Sequence, residues 1–170
     1  MQRRTAIIST AATLVGCAAT SNAPDGKKLA ATQGILAVLL SANATGNIFF
    51  VPYGRSPLGT ILAEELLGVK GALRFIQGER YLVVALEAGE YMWSKLYANN
   101  KVASLYSTTR FRVRAGSITY IGHIHLAIIN NVLTMKAFDR EEDMLGHLKI
   151  NFPSYSEIMP FEKALAEFRL

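Results

Sequence analysis

Short β-prone runs broken by turn residues recur from Gly34 to Phe138, and this pattern constrains the fold more than any other feature of the chain. Turn signals that return about every 8 to 12 residues are typical of a sandwich of two antiparallel sheets. The chain has 170 residues, of which 51% are apolar, and one domain of this size buries a sizeable core. We therefore expect a mainly β, antiparallel sandwich of about seven to nine strands over residues 33–138.

Individual runs predict where strands and turns lie. The run Ile35–Leu40 is apolar throughout, which suits a strand that is covered on both faces. Leu73–Gln77 and Arg80–Leu86 flank a glycine turn and predict a hairpin. Gly89 is expected to supply the positive φ of the next turn. Thr60–Leu67 fits a strand or a helical turn, and the lack of a helix cap before it favours the strand.

Alternation along a strand assigns successive side chains to opposite faces. In one strand the apolar face consists of Phe111 and Val113, and the opposite face carries Arg110, Arg112 and Arg114. In the strand Ser117–Leu126, one face is predicted to hold Ile118, Tyr120, Ile124 and Leu126. The other face is predicted to hold Thr119, Ile121, His123 and His125.

Residues 139–170 have a different character. Asp139 and Glu142 fit a capping arrangement, and acidic residues fill the turn that follows. The apolar stripe of a short helix follows them: Met144, Leu145 and Leu148. Pro160 fits the first turn of a second helix, whose apolar face would consist of Phe161, Leu165 and Phe168. We expect both helices to pack on or beside the sandwich.

Residues 1–16 have the three parts of a secretory signal, namely positive charge, an apolar core and small residues at the end. The apolar core, Ala6–Val15, is too short to span a bilayer, which takes roughly 20 apolar residues. It ends at Leu14-Val15-Gly16-Cys17, which resembles the lipobox of bacterial lipoproteins. The resemblance implies that the signal is cut before Cys17 and that the sulfur of Cys17 carries a diacylglycerol.

Such an anchor determines where the protein is held. Two or three acyl chains hold a protein stably on a membrane, whereas one chain holds it only marginally. In lipoproteins of Gram-negative bacteria an Asp after the lipidated cysteine favours the inner membrane, and this chain has Ala18 there. The resemblance therefore implies an outer-membrane protein that faces the periplasm. The alternative is an ordinary secretory signal that is cut after Ala18 and yields a soluble protein.

Residues 17–32 are small and polar, which predicts a flexible tether between the lipid and the sandwich. Lys27 and Lys28 within this tether either contact anionic head groups or are simply solvated. Removal of residues 1–16 leaves 16 basic against 13 acidic residues, a net charge of +3. Because basic and aromatic residues do not interleave in clusters, nucleic acid is not an expected partner.

The sandwich region contains the stretches Leu86-Glu-Ala-Gly89-Glu-Tyr91 and Phe111-Arg-Val-Arg-Ala-Gly116-Ser-Ile-Thr-Tyr120-Ile-Gly122. Both resemble patterns of small bacterial lipoproteins with a prealbumin-like or immunoglobulin-like β-sandwich. The resemblance implies a fold and an envelope location, and it brings no catalytic residue with it. His123 stands after the final glycine, where the pattern commonly has an acidic residue.

His123 and His125 are the sharpest candidates for local chemistry. Residues two apart on a strand face the same side, so the two imidazoles are close enough to share a metal ion. His147 or one of the acids at 139–143 is the candidate third ligand. Two histidines alone are a weak metal signal, and a hydrogen-bonded or solvated strand face is the favoured alternative. We therefore expect neither a metal nor another cofactor.

The stripe of Arg110, Arg112 and Arg114 is the best candidate for a contact surface. Guanidinium groups bind phosphate through two hydrogen bonds at once, so the expected partners are anionic lipid, lipopolysaccharide or an acidic envelope protein. The alternative, which is the simpler one, is a charged face that protects an edge strand from unwanted pairing.

Other motifs fail on their spacing. The acids of Asp139–Asp143 lack the ligand spacing and the central glycine of a calcium loop. Gly54–Gly59 comes near a nucleophile elbow, but Leu58 stands where the second glycine is needed and Pro57 disturbs the turn. Phosphate-binding loops, dinucleotide glycine motifs and zinc-protease helices do not occur in the sequence.

Taken in order, the chain divides into a signal (1–16), a tether (17–32), a sandwich (33–138) and C-terminal helices (139–170). We expect a lipid-anchored envelope protein that is not an enzyme and acts as a binding or structural module. The alternative is a small periplasmic metal-binding protein or enzyme that uses His123 and His125.

Overall fold

Strand β1 (Gln33–Ala42) lies inside the first of the two five-stranded sheets that the described residues form, and it is buried on both faces, as its apolar run predicts. The computed structural model describes residues 21–53, 71–99, 101–105, 110–130 and 132–168. The other strands are β2 (Gly46–Pro52), β3 (Gly71–Phe75), β4 (Gly78–Glu87), β5 (Gly89–Ala98), β6 (Lys101–Ser104), β7 (Arg110–Val113), β8 (Ile118–Ile129), β9 (Val132–Phe138) and β10 (Phe161–Lys163). The helices are α1 (Glu141–Asn151) and α2 (Pro153–Ile158).

Several predictions concern parts of the chain outside the described residues. These parts include the signal with Cys17, the segment Gly54–Gly59 and the run Thr60–Leu67. The strand predicted over Thr60–Leu67 and the lipidation of Cys17 therefore stay predictions.

The two sheets pack face to face, and the predicted β-sandwich with a short helical C-terminal part is confirmed. The strand order of the first sheet is β10-β8-β1-β4, and β9 also pairs with β8. The order of the second sheet is β3-β2-β5-β6, and β7 also pairs with β5. Because β1 and β10 both run parallel to β8, the first sheet is mixed rather than antiparallel throughout.

A large core lies between the sheets, and a smaller one lies outside the first sheet. In the large core the Phe50 ring meets Trp93 and Phe111 edge-on, with ring centroids 6.2 and 5.7 Å apart. In the smaller core, Met144 and Leu148 of α1 cover the outward residues of β1. The helix predicted after the acidic stretch is therefore present and lies on the outer face of the first sheet. Within the described ranges, the helices are too short and too polar to cross a bilayer.

The hairpin predicted over Leu73–Leu86 is wrong, because its two arms belong to different sheets. β3 pairs with β2, whereas β4 pairs with β1. Gly78 has a φ of 100° at this corner, and Gly89 does not have the positive φ that was predicted for it. Apolar runs on both sides of a glycine turn look the same in a hairpin and in a corner between two sheets.

The second helix predicted from Pro160 is also wrong. Residues 161–163 form β10 instead, and the N–H groups of Ala164 and Ala166 donate to the carbonyl oxygens of Tyr120 and Ile121 at 2.8 and 2.9 Å. β9 pairs with β8 only from His123 onward, so the start of β8 has an edge that this segment fills. Pairing to that edge outweighs the helical spacing of the apolar residues.

The described part of the predicted tether, residues 21–32, is docked on the first sheet. The N–H of Ala23 donates to the carbonyl oxygen of Val83 at 2.7 Å. The hydroxyl of Tyr155 donates to the carbonyl oxygen of Pro24 at 2.9 Å. The small, polar composition gave no sign of this docking, because both of these contacts use backbone groups of the segment, which every sequence carries.

Candidate functional site

A β-bulge in β8 determines on which face of the sheet His123 and His125 lie. Gly122 has a φ of 103°, and the pairing of β8 with β1 shifts by one residue at this point. Ile121 and Ile124 therefore both face the core between the sheets. The prediction that His123 lies on the face of Ile121 is wrong, because the extra residue of a bulge resets the alternation.

Ser41 of β1 lies between the two imidazoles. Its Oγ is 2.6 Å from Nε2 of His123 and 2.8 Å from Nδ1 of His125. Ser41 is paired directly with His125 across the parallel strands, and Ser41 and His123 are each only 8% exposed. Ser41 was not predicted as part of this cluster, although a polar residue at the end of the apolar run of β1 was a usable signal.

The hydrogen-bonding capacity of the serine hydroxyl restricts how this cluster holds its protons. The hydroxyl carries one proton, so it donates to one imidazole nitrogen and accepts from a nitrogen that carries a proton on the other ring. Two neutral arrangements satisfy both contacts, and they differ in which histidine receives the serine proton. Ser41 thereby couples the tautomer of His123 to that of His125.

Charged groups from α1 and β4 border the cluster. Glu79 is the cross-strand neighbour of Ser41, and its Oε1 accepts from Arg140 Nη1 at 2.8 Å. Arg140 also donates through Nε to Asp143 Oδ2 at 2.5 Å. Burial, followed by the charge of Arg140, lowers the pKa of His123 below its usual value of 6.5. His123 is therefore neutral at pH 7, as a base or a metal ligand must be.

The residues considered as a third metal ligand lie elsewhere. His147 stacks on Tyr81 with ring centroids 4.1 Å apart, and Asp139 pairs with Lys163 at 2.9 Å. Within the described residues there is no group of three or more His, Cys, Asp or Glu side chains placed to hold a metal ion. What the cluster offers chemically is a serine hydroxyl held against a neutral imidazole, the arrangement from which a base removes a hydroxyl proton.

The low pKa of His123 makes the stability of the fold depend on pH. The unfolded chain takes up the His123 proton near pH 6.5, whereas the folded chain takes it up only at lower pH. The contribution of His123 to the free energy of unfolding is therefore complete above about pH 6.5. It is lost as the pH falls through the pKa that His123 has in the folded chain. His147, whose pKa is also lowered by burial, acts in the same direction.

We expect urea titrations at pH 8 and pH 5 to give a lower free energy of unfolding at pH 5. The difference should shrink in a His123→Gln variant, which has no proton to take up at this position. An unchanged pH dependence in that variant would contradict the assignment to His123.

The three arginines of the predicted contact surface share one exposed side at an edge of the second sheet, and each has a partner. The guanidinium carbon of Arg110 lies 3.3 Å from the centroid of the Tyr53 ring. Arg112 forms an ion pair with Glu90, and Arg114 forms one with Glu162 at 3.1 Å. Two of the three positive charges of this stripe are therefore compensated by carboxylates. That arrangement suits the protection of an edge strand better than the capture of an anionic partner.

Comparison with protein-family models, with curated proteins and with solved structures finds no match in any of the three.

Proposed function

We propose that this chain is a lipid-anchored lipoprotein of the cell envelope, held at the outer membrane and facing the periplasm, whose sandwich is a non-catalytic binding or structural module. The observation that carries the proposal is the sequence Leu14-Val15-Gly16-Cys17 at the end of a short apolar core. The lone cysteine stands at the position where a lipobox requires it, and an anchor of two or three acyl chains holds a protein stably on a membrane.

The docked N-terminal segment adds a constraint to this proposal. Asn22 and Ala23 are both hydrogen-bonded to Val83 of the first sheet. Only the residues between Cys17 and Asn22 then connect the lipid to the sandwich. Even fully extended, a connection of this length spans only about 20 Å, since successive Cα atoms are about 3.8 Å apart. A lipid on Cys17 would therefore hold the sandwich close to the membrane surface.

Replacement of Cys17 by serine tests the anchor. In the wild type we expect an intact mass that lacks residues 1–16 and includes a diacylglycerol, together with sedimentation in the outer-membrane fraction. The Cys17→Ser variant should carry no lipid mass. Ser21→Ala, a change just beyond the lipobox, is the matched control and should behave like the wild type. A wild-type protein that is soluble and cut elsewhere would overturn the proposal.

The Ser41 contacts favour a second candidate function, a small periplasmic enzyme or metal-binding protein. A serine hydroxyl within 2.6 Å of a neutral, buried imidazole is the arrangement that a serine nucleophile uses. The same two imidazoles supply two nitrogen ligands for zinc or copper. Either activity would be located on the outer face of the first sheet.

Two measurements separate this candidate from the binding module. The first is a titration with zinc and copper, and the second is covalent labelling by a fluorophosphonate. A stoichiometric metal site or a labelled Ser41 that is lost in a His123→Ala, His125→Ala double variant would favour the second candidate. His147→Ala is the control, because His147 stacks on Tyr81 away from Ser41. Neither signal is expected from a non-catalytic module.

A further inference from the structure

A cleft of about 580 Å³ lies between the docked N-terminal segment, α2 and the turn at Gly116. Pockets for small molecules typically measure about 300 to 1,000 Å³, so the volume is that of a ligand site. Its principal side chains are Lys27, Lys28, Leu29, Tyr155, Ile158 and Met159. The cleft is about 10 residues along the chain from the proposed lipidation site, and it is separate from the cluster around Ser41.

The charge of the cleft has one sign. Among the described residues that line it, Lys27 and Lys28 are the only charged ones, and none is acidic. In the described part of the chain, neither lysine side chain forms a hydrogen bond or an ion pair. Arg112 and Arg114 differ in this respect, because each is paired with a glutamate. The nearby carboxylate of Asp25 accepts from Ser154 at 3.0 Å, so within the described residues both ammonium groups remain without an ion pair and can bind a ligand.

The walls of the cleft are mostly apolar. Leu29 and Met159 are half-buried against the smaller core, so they present one side to the cleft. Ile158, at the end of α2, is 78% exposed. When an apolar ligand covers such an exposed aliphatic side chain, the burial of apolar surface favours binding. The cleft thus combines apolar side chains, two of them at the end of α2, with two lysines.

The backbone around the cleft is held in place before any ligand arrives. The hydroxyl of Tyr155 lies within hydrogen-bond distance of two carbonyl oxygens of the N-terminal segment, 3.0 Å from that of Lys27. Ser154 donates through Oγ to Asp25 Oδ2 at 3.0 Å. The N–H of Gln33 donates to the carbonyl oxygen of Ala30 at 2.9 Å. A site fixed in this way loses little conformational entropy on binding.

We propose that this cleft binds a single-chain anionic amphiphile, with the acyl chain along Leu29, Ile158 and Met159 and the anionic head group at Lys27 and Lys28. A lysine ammonium interacts with carboxylate or phosphate as a point charge, so the head group is the carboxylate of a fatty acid or the phosphate of a lysophospholipid. This ligand is distinct from any lipid on Cys17, and the site does not depend on the anchor.

Photolabelling tests the proposal. The probe is a diazirine analogue of palmitic acid, added to the purified wild-type protein in phosphatidylcholine nanodiscs. We expect saturable labelling of peptides 24–33 and 153–160. Competition by unlabelled palmitate assigns a carboxylate head group, and competition by palmitoyl lysophosphatidic acid alone assigns a phosphate. Competition by neither, or equally by neutral monopalmitoylglycerol, overturns the proposal.

Matched variants separate the cleft from general attraction to lipid. Lys27→Gln with Lys28→Gln should weaken the saturable labelling about fivefold, as should Ile158→Ser. The controls are Lys149→Gln and Ile150→Ser, because Ile150 is 80% exposed on α1 and neither residue lines the cleft. Equal losses in the controls would overturn the site. The Cys17→Ser variant should label like the wild type, so a missing anchor with intact labelling contradicts only the proposed function.

Discussion

Replacement of Phe50 by alanine is expected to lower the free energy of unfolding by about 4 kcal/mol, which is typical of a buried phenylalanine. The Phe50 side chain is fully buried between the sheets. Its ring contacts Tyr91, Trp93 and Phe111 with centroids 5.5 to 6.2 Å apart. Truncation removes these edge-on contacts and leaves a cavity that rings on three sides do not readily fill. Urea unfolding followed by circular dichroism measures the change.

Phe49→Ala is the matched control for this experiment. Phe49 is the preceding residue of β2, so its side chain lies on the opposite face of the sheet, where it is half-buried against Tyr97 at 5.2 Å. We expect a loss of about 1 kcal/mol for this variant, since one aromatic pair and part of its buried area are lost. Similar losses for the two variants would mean that the core between the sheets is not packed as described.

Replacement of Gly34 by alanine is expected to cost about 3 kcal/mol or to prevent folding, for a different reason. A Cβ at Gly34 would lie 1.9 Å from the carbonyl oxygen of Arg114. That oxygen belongs to the backbone, and both sides of the contact are fixed by hydrogen bonds. Gly116 N–H donates to Gln33 O, and Ile35 N–H donates to Ser117 O, each at 2.9 Å. The clash therefore cannot be relieved by rotating a side chain.

Gly146→Ala is the same chemical change, but we expect it to raise the stability of the fold. Gly146 lies inside α1, and a Cβ there would meet no atom within 4 Å. Alanine has a higher helix propensity than glycine by about 1 kcal/mol, so this variant should be stabilised. Thermal melts measure both changes. If the Tm values of both variants were above that of the wild type, or both below it, the described surroundings of Gly34 and Gly146 would be contradicted.

The sequence predicts the fold class because alternation and turn spacing are local signals. The run that became β1, the alternation in Arg110–Val113 and the acidic start of α1 are all readable within a few residues. The assignment of strands to sheets is not local. Leu73–Leu86 looks like a hairpin, yet its arms separate because each finds a better partner elsewhere, β2 for one and β1 for the other. β10 likewise depends on an edge of β8 about 40 residues away.

The candidate sites show the same division. The histidine pair was visible in the sequence, but its face was predicted wrongly because the bulge at Gly122 cannot be recognised from alternation. Ser41 joins the pair across 82 residues, and Glu162 reaches Arg114 across 48. Contacts between such distant residues leave no periodic trace in the sequence. Predictions of features within one strand were therefore more reliable than predictions of which strands or residues pair.

The parallel pairing of β1 with β8 makes the folding of this chain late and dependent on its whole length. β1 is the first strand of the described residues, and although β4 pairs with one of its edges, the partner of its other edge begins only at Ile118. Closing so large a loop before the second edge of β1 is paired slows folding, as contacts of high sequence separation generally do. Until β8 arrives, β1 exposes apolar residues on both faces together with one unpaired edge. A chain truncated before β8 is therefore expected to aggregate rather than to fold in part.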